Sequence, residues 1–117
     1  MKIRDISNLF KNKKVLITGN TGFKGSWLSL WMISFGAKVY GYSKNVPTHP
    51  SLYKSINLSK HIVQTYADIR DRKKLEKKIL QIKPDFIFHL AAQSIVKDSY
   101  ENPYYTWETN TFGTINL

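Results

Sequence analysis

The chain has 117 residues, of which 42% are hydrophobic, 22% charged and 14% aromatic, the balance of one small globular domain with no room for a second. Its 18 Lys and Arg outweigh 8 Asp and Glu for a net charge of +10, and it has no cysteine, which excludes disulfide frameworks, thiolate-held zinc and thiol nucleophiles together. No apolar run approaches the roughly 20 residues that cross a bilayer, and no secretory signal core follows Lys2 and Arg4, so no membrane association and a cytoplasmic location are expected.

Lys14 to Thr18 is a short apolar run that stops at Gly19, the pattern of a strand buried on both faces of a parallel sheet. From Lys24 to Phe35, Trp27, Leu28, Trp31, Met32 and Phe35 recur at helical spacing, and Gly36 supplies a stop. Lys38 to Tyr42 reads as a second strand, Ser43 to Pro50 as a loop, and Ile62 to Tyr66 as a third strand. Asp71 is placed to cap a helix carrying Leu75, Ile79 and Ile82 on one face, ended by Pro84. Phe86 to Leu90 forms a fourth strand, and Asn102-Pro103 opens a helix that runs to Leu117. Strands alternating with helices predict an α/β doubly wound parallel sheet, and the handedness of such crossovers predicts the strand order 3-2-1-4. The fourth strand then forms an apolar edge.

Gly19, Gly22 and Gly25 lie between the first strand and the first helix. A glycine at the first place allows a tight turn, at the second a close approach of a pyrophosphate, and at the third close packing of helix on sheet. The helix N-terminus would then face the phosphate charge. The acidic residue that usually follows the second strand and holds an adenosine ribose is missing from Tyr42-Ser43-Lys44-Asn45. Ser43 or Asn45 could bond a ribose hydroxyl, whereas Lys44 would suit a 2′-phosphate, so both NAD and NADP stay open. Asp68, at the end of the third strand, is placed to accept from an adenine amino group. Ala91 and Ala92 close the fourth strand with small side chains beside the turn, and His89 reads as a strand residue with a local hydrogen bond.

The positive charge concentrates at Lys11, Lys13 and Lys14, at Arg70, Arg72, Lys73 and Lys74, and at Lys77 and Lys78. A basic nucleic-acid-binding module is the alternative from another class. No helix-turn-helix, zinc finger or stacking aromatic pattern accompanies these residues, and much of the cluster falls on one side of a short helix, so no nucleic acid is expected.

Four stretches carry a resemblance: Thr18 to Gly25 (TGNTGFKG), Asp68 to Asp71 (DIRD), His89 to Ser94 (HLAAQS) and Asn102 to Leu117. They resemble the extended short-chain dehydrogenase/reductase family. The stretches GFKGSWLSLW and Pro47 to Tyr53 (PTHPSLY), with SYENP from Ser99, resemble its bacterial CDP-glucose 4,6-dehydratases. The resemblance implies a Rossmann-type NAD(P)-binding domain and a nucleotide-sugar substrate dehydrated through hydride transfer to and from bound NAD. It implies cofactor contacts at Gly19, Thr21, Gly22, Phe23, Lys24, Gly25, Asp68, Ile69, Leu90, Ala91, Ala92, Gln93, Thr109 and Asn110, beside Ser43 from the residues themselves. Lys44 and Asn45 depart from the apolar residue and Asp common in such relatives. The Tyr-x-x-x-Lys pair of the family lies beyond the fourth strand's helix; Tyr40 and Lys44 have that spacing but fall at the second strand. The expectation is therefore the N-terminal part of one NAD(P)-binding domain over residues 1–117, without catalytic residues or sugar-nucleotide-binding part, from a protein that is a homodimer at full length. Another NAD-dependent nucleotide-sugar epimerase or dehydratase, of GDP-mannose or UDP-sugar type, fits the same motifs.

Overall fold

The structure, a computed structural model, describes residues 2–117. Helix α1 (Ile3–Phe10) leads into β1 (Lys14–Thr18), α2 (Phe23–Ser34) and β2 (Lys38–Ser43). A short α3 (Leu52–Ser55) and a 3-10 turn (Leu58–Lys60) precede β3 (Val63–Tyr66), α4 (Arg72–Ile82) and β4 (Phe86–His89). Then come α5 (Val96–Glu101) and α6 (Pro103–Trp107), the latter continuing through a π-helical stretch (Glu108–Phe112) into α7 (Gly113–Ile115). The four strands form one parallel sheet in the order β3-β2-β1-β4, as expected from the alternation.

Alternation along β1 supplies both faces of the sheet, because successive side chains point opposite ways. Val15 and Ile17 pack with Phe10, Met32 and Val39, against which Phe35, Phe86 and Phe88 close. Leu16 faces the other way into a cluster with Tyr42, Ala67, Ile69, Leu75 and Ile82. All three β1 residues are fully buried, and they are the reason a five-residue strand can organise the domain.

Three short helices were not foreseen from the sequence. Helix α1 has only eight residues and is held by Phe10, whose ring lies 4.9 Å from that of Phe86, while Asp5 Oδ2 accepts from the Lys2 N–H at 2.9 Å. Ser51 caps α3 through the Lys54 N–H at 3.3 Å, and α5 buries none of its side chains.

The helical stripe in α2 also differs from expectation. The face turned to the sheet is Gly25, Ser26, Ser29 and Met32, whereas Trp27 and Trp31 are 47% and 61% exposed. Small residues are needed because the helix lies so close to the turn before it: a Cβ on Gly25 would lie 2.7 Å from Asn20 Cα.

Candidate functional site

A cavity of about 500 Å3 opens where the carboxyl ends of the strands meet. Its floor is the turn from Gly19 to Gly25; its walls are Ser43 to Asn45 after β2, Ala67 to Ile69 after β3, and Leu90 to Ala92 after β4. Pro47, Ser94, Tyr105 and Thr109 complete the lining. Strand order 3-2-1-4 puts the topological switch between β1 and β4, where open α/β sheets bind their ligands.

The turn is shaped by backbone approach. Gly19 has φ +70°, and a Cβ there would sit 2.6 Å from the Ala91 nitrogen and 2.7 Å from the Leu90 carbonyl carbon. The exits of β1 and β4 therefore touch. Thr18, wholly buried, fastens them: its Oγ1 accepts from the Leu90 and Ala91 N–H groups, each at 3.2 Å, and pairs with His89 Nδ1 at 2.7 Å. Gly22 is different. Its φ of −73° is open to any residue, and a Cβ there would meet nothing nearer than 3.4 Å. No group among the described residues demands a glycine at that place, and it faces the cavity.

Among the described residues no side chain caps α2, and no acidic residue occupies its first turn. The unpaired N–H groups and dipole of that turn make a favourable place for negative charge, and Lys24 on the cavity wall adds a cation.

At the β3 side, Asp68 is held in place. Its Oδ1 accepts from the Arg70 backbone N–H at 2.9 Å, and its carboxylate takes the guanidinium through Nη2 at 2.9 Å and Nε at 3.1 Å. Arg70 also donates through Nη1 to Glu108 Oε2 at 3.0 Å, and its guanidinium lies 4.6 Å from the Tyr105 ring centre. Lys44 Nζ reaches Asp68 Oδ2 at 3.7 Å. Burial pushes the Asp68 carboxyl upward, but hydrogen bonds and charge from Arg70 and charge from Lys44 outweigh it and hold the group below its ordinary value. The native chain then binds fewer protons than the unfolded chain in that window, so this contribution is complete above the unfolded value near pH 4 and is lost as pH falls through the lower folded value. Urea unfolding of wild type and Asp68→Asn at pH 6 and pH 3 should show the stability difference between them shrinking at pH 3.

Of the residues singled out from sequence, Gly19, Thr21, Gly22, Phe23, Lys24, Gly25, Ser43, Asp68, Ile69, Leu90, Ala91, Ala92 and Thr109 line the cavity. Ser43 lines it with its hydroxyl already committed: it donates to Asn20 Oδ1 at 2.7 Å. Gln93 and Asn110 lie outside the lining and grip each other instead. The Gln93 N–H donates to Asn110 Oδ1 at 2.8 Å, and Asn110 Nδ2 donates to the Gln93 carbonyl at 2.9 Å. Tyr105 and Arg70 were not foreseen, since both depend on a helix docking against a loop 35 residues away in sequence. Thr109 is 7% exposed, and its Oγ1 is the one buried side-chain polar atom without a partner among the described residues. It sits in the π-helical stretch, a geometry that recurs at functional sites. Among those residues there is also no cluster of three potential metal ligands.

Residues 16–117 match the family model described as GDP-mannose 4,6 dehydratase. The chain is 47% identical over 110 residues to the CDP-glucose 4,6-dehydratase of Salmonella typhimurium, covering 94% of this chain and 31% of that protein. It is 34% identical to the GDP-mannose 4,6-dehydratase of Yersinia enterocolitica, covering 90% and 30% respectively. Among solved structures, the epimerase Mth375 of Methanothermobacter thermautotrophicus superposes with a TM-score of 0.83 at 29% identity, over 97% of this chain and 33% of that one. A UDP-glucose 4-epimerase from Brucella ovis, solved in complex with NAD, superposes at 0.77 and 25% identity, over 90% of this chain and 30% of that one. The chain thus spans about 30% of the length of the curated relatives it matches.

Proposed function

Because the chain belongs to the GDP-mannose 4,6-dehydratase family, we propose that it is the dinucleotide-binding part of a nucleotide-sugar 4,6-dehydratase, that it binds NAD in the cavity, and that its sugar nucleotide is CDP-glucose. The identity of 47% to a CDP-glucose 4,6-dehydratase supports that sugar over GDP-mannose, the runner-up, for which the family is named. The Brucella relative in complex with NAD supports the cofactor.

The observation that carries the reading is the fit between cavity and dinucleotide. Among the described residues no neighbour requires the bare Gly22, and Thr109 Oγ1 is buried without a partner at the same cavity. A buried hydroxyl left unpaired is costly, and a ligand that pairs it recovers that cost. In this reading Gly19 to Gly25 and the first turn of α2 present N–H groups to the diphosphate, and Phe23 shields it. Lys24 adds positive charge. Asp68 and Ile69 hold the adenine, Ser43 lies along the ribose, and Leu90 to Ala92 give the extended ligand room. Thr109 donates its hydroxyl hydrogen into the cavity, while Gln93 and Asn110 keep the β4 exit and its helix in register. When bound, the dinucleotide would supply hydride acceptance and return, which a net dehydration of a hexose requires.

The same reading puts the whole protein in the cytoplasm as a homodimer without a nucleic-acid partner. No described helix is long and apolar enough to cross a membrane.

Calorimetric titration tests the proposal. Saturable binding of NAD by the chain is expected. Gly22→Val should weaken that binding by about tenfold or more, because a side chain intrudes on the diphosphate's approach, while shifting the unfolding free energy by less than about 1 kcal/mol. Unaltered NAD affinity in Gly22→Val would remove the diphosphate from this turn.

A further inference from the structure

Asn20 is a polar residue with 0% exposure in the turn between β1 and α2. Its side chain points away from the cavity, into the sheet. There it lies over Gly41 of β2, where a Cβ would come within 2.6 Å of both Asn20 Cγ and Gln64 Oε1. The glycine in the middle of β2 is thus explained by the amide that occupies its place.

Every polar atom of that amide has a partner. Nδ2 donates to Gln64 Oε1 of β3 at 2.6 Å, and Oδ1 accepts from Ser43 Oγ of β2 at 2.7 Å. The Asn20 carbonyl accepts from Ser26 Oγ of α2 at 3.1 Å. Gln64 is steadied in turn by the Tyr53 hydroxyl, which donates to its Oε1 at 3.2 Å. One side chain therefore ties the turn to two strands, while its own backbone is tied to the helix. A fully satisfied buried network of this kind fixes one geometry rather than adding much net stability. The residues on either side of it, Gly19 and Thr21, are cavity wall.

We infer that Asn20 is a positioning residue for the diphosphate of the bound dinucleotide: without touching the ligand, it holds the turn in the shape that presents its N–H groups. This rests on the cavity being a dinucleotide site. Holding the donors in place before binding removes an ordering cost that a loose turn would impose on the ligand. The effect must then fall on ligands that carry a diphosphate and spare one that does not.

The test uses the 117-residue chain as wild type, Asn20→Ala and Asn20→Asp, titrated calorimetrically with NAD, ADP and adenosine. Amide hydrogen exchange over residues 14–26, without ligand, provides a second readout. Asn20→Ala should weaken NAD and ADP by about tenfold or more while adenosine stays within about twofold, given the cost of stranding buried hydrogen-bonding groups. Exchange in 19–26 should rise while that in residues 14–17 of β1 stays unchanged. Asn20→Asp keeps the acceptor for Ser43 but strands Gln64 Oε1, whose amide is held by Thr65 and Tyr53. It also buries a carboxylate beside the diphosphate, so it should weaken NAD and ADP at least as much as Asn20→Ala. If Asn20→Ala does not fold, Gln64→Leu removes the same anchor from the β3 side and should give the same split between ligands. Equal losses for ADP and adenosine, or unchanged NAD affinity with unchanged exchange, would overturn the inference and leave the cavity's reading standing. A wild-type chain that binds neither NAD nor ADP would instead overturn the reading of the cavity, and the inference with it.

Discussion

Gly25→Ala is expected to cost about 3 kcal/mol or more, a large part of the 5–15 kcal/mol that holds a small domain together. The added Cβ would collide with the Gly19 carbonyl oxygen and lie 2.7 Å from Asn20 Cα and 2.8 Å from the Gly19 carbonyl carbon. All three are backbone atoms of one turn, so no flexible side chain can step aside. Relief requires α2 to lift from the sheet, and Ser26, Ser29 and Met32 are buried along the same face. A chain of 117 residues has little buried surface to spare. Urea unfolding followed by circular dichroism should show a midpoint far below wild type, or no cooperative transition. A midpoint within error of wild type would show that the turn can yield.

Thr18→Val should cost about 2–3 kcal/mol although it preserves shape, because the whole loss is polar. The direction of each hydrogen bond follows from its neighbours. Thr114 Oγ1 donates to the Asn110 carbonyl at 2.7 Å, so at 3.0 Å from His89 Nε2 it can only accept, and the ring proton sits on Nε2. Nδ1 is then bare and takes the Thr18 hydroxyl hydrogen. Burial, which lowers the pKa of His89, agrees with a neutral ring. In the valine variant the Leu90 N–H keeps the Thr18 carbonyl at 3.1 Å. The Ala91 N–H and the His89 ring nitrogen lose their partner. Thermal and urea unfolding would measure the loss, and Thr18→Ser, which keeps the hydroxyl, should recover most of it. A valine variant as stable as wild type would mean that water replaces the hydroxyl.

The parts of the fold that were legible from sequence are those whose signal is local. Val15, Leu16 and Ile17 form a run that only a doubly covered strand needs, and the glycines at 19, 22 and 25 sit at the turn such a strand demands. Strand order followed from the alternation. What escaped reading depends on distance. Asn20 meets Gln64 across 44 residues, and Arg70 meets Glu108 across 38; no spacing rule links such pairs. Helix α3 exists because Tyr53 finds a buried place, and α1 because Phe10 does. The tryptophans of α2 misled for a related reason. Their spacing marks a helix, but the helix presses so close to its turn that only small residues fit the inner face.

The π-helical stretch has a consequence for alignment. Along a regular α-helix, residues four apart drift around the axis by about 40° per step, so a row spaced by fours winds off its target within two steps. The helix from Pro103 to Ile115 carries two such rows. Tyr105 and Thr109 meet the cavity, and Gly113 receives Ile69, whose Cδ1 would be 2.6 Å from a Cβ there. Thr106 and Asn110 meet Gln93, and Thr114 meets His89. A π turn closes one residue later than an α turn, and its wider winding subtracts from the drift at the middle of both rows. The stretch works like a vernier, bringing the pitch of the helix into phase with strand ends and loops that do not share its period.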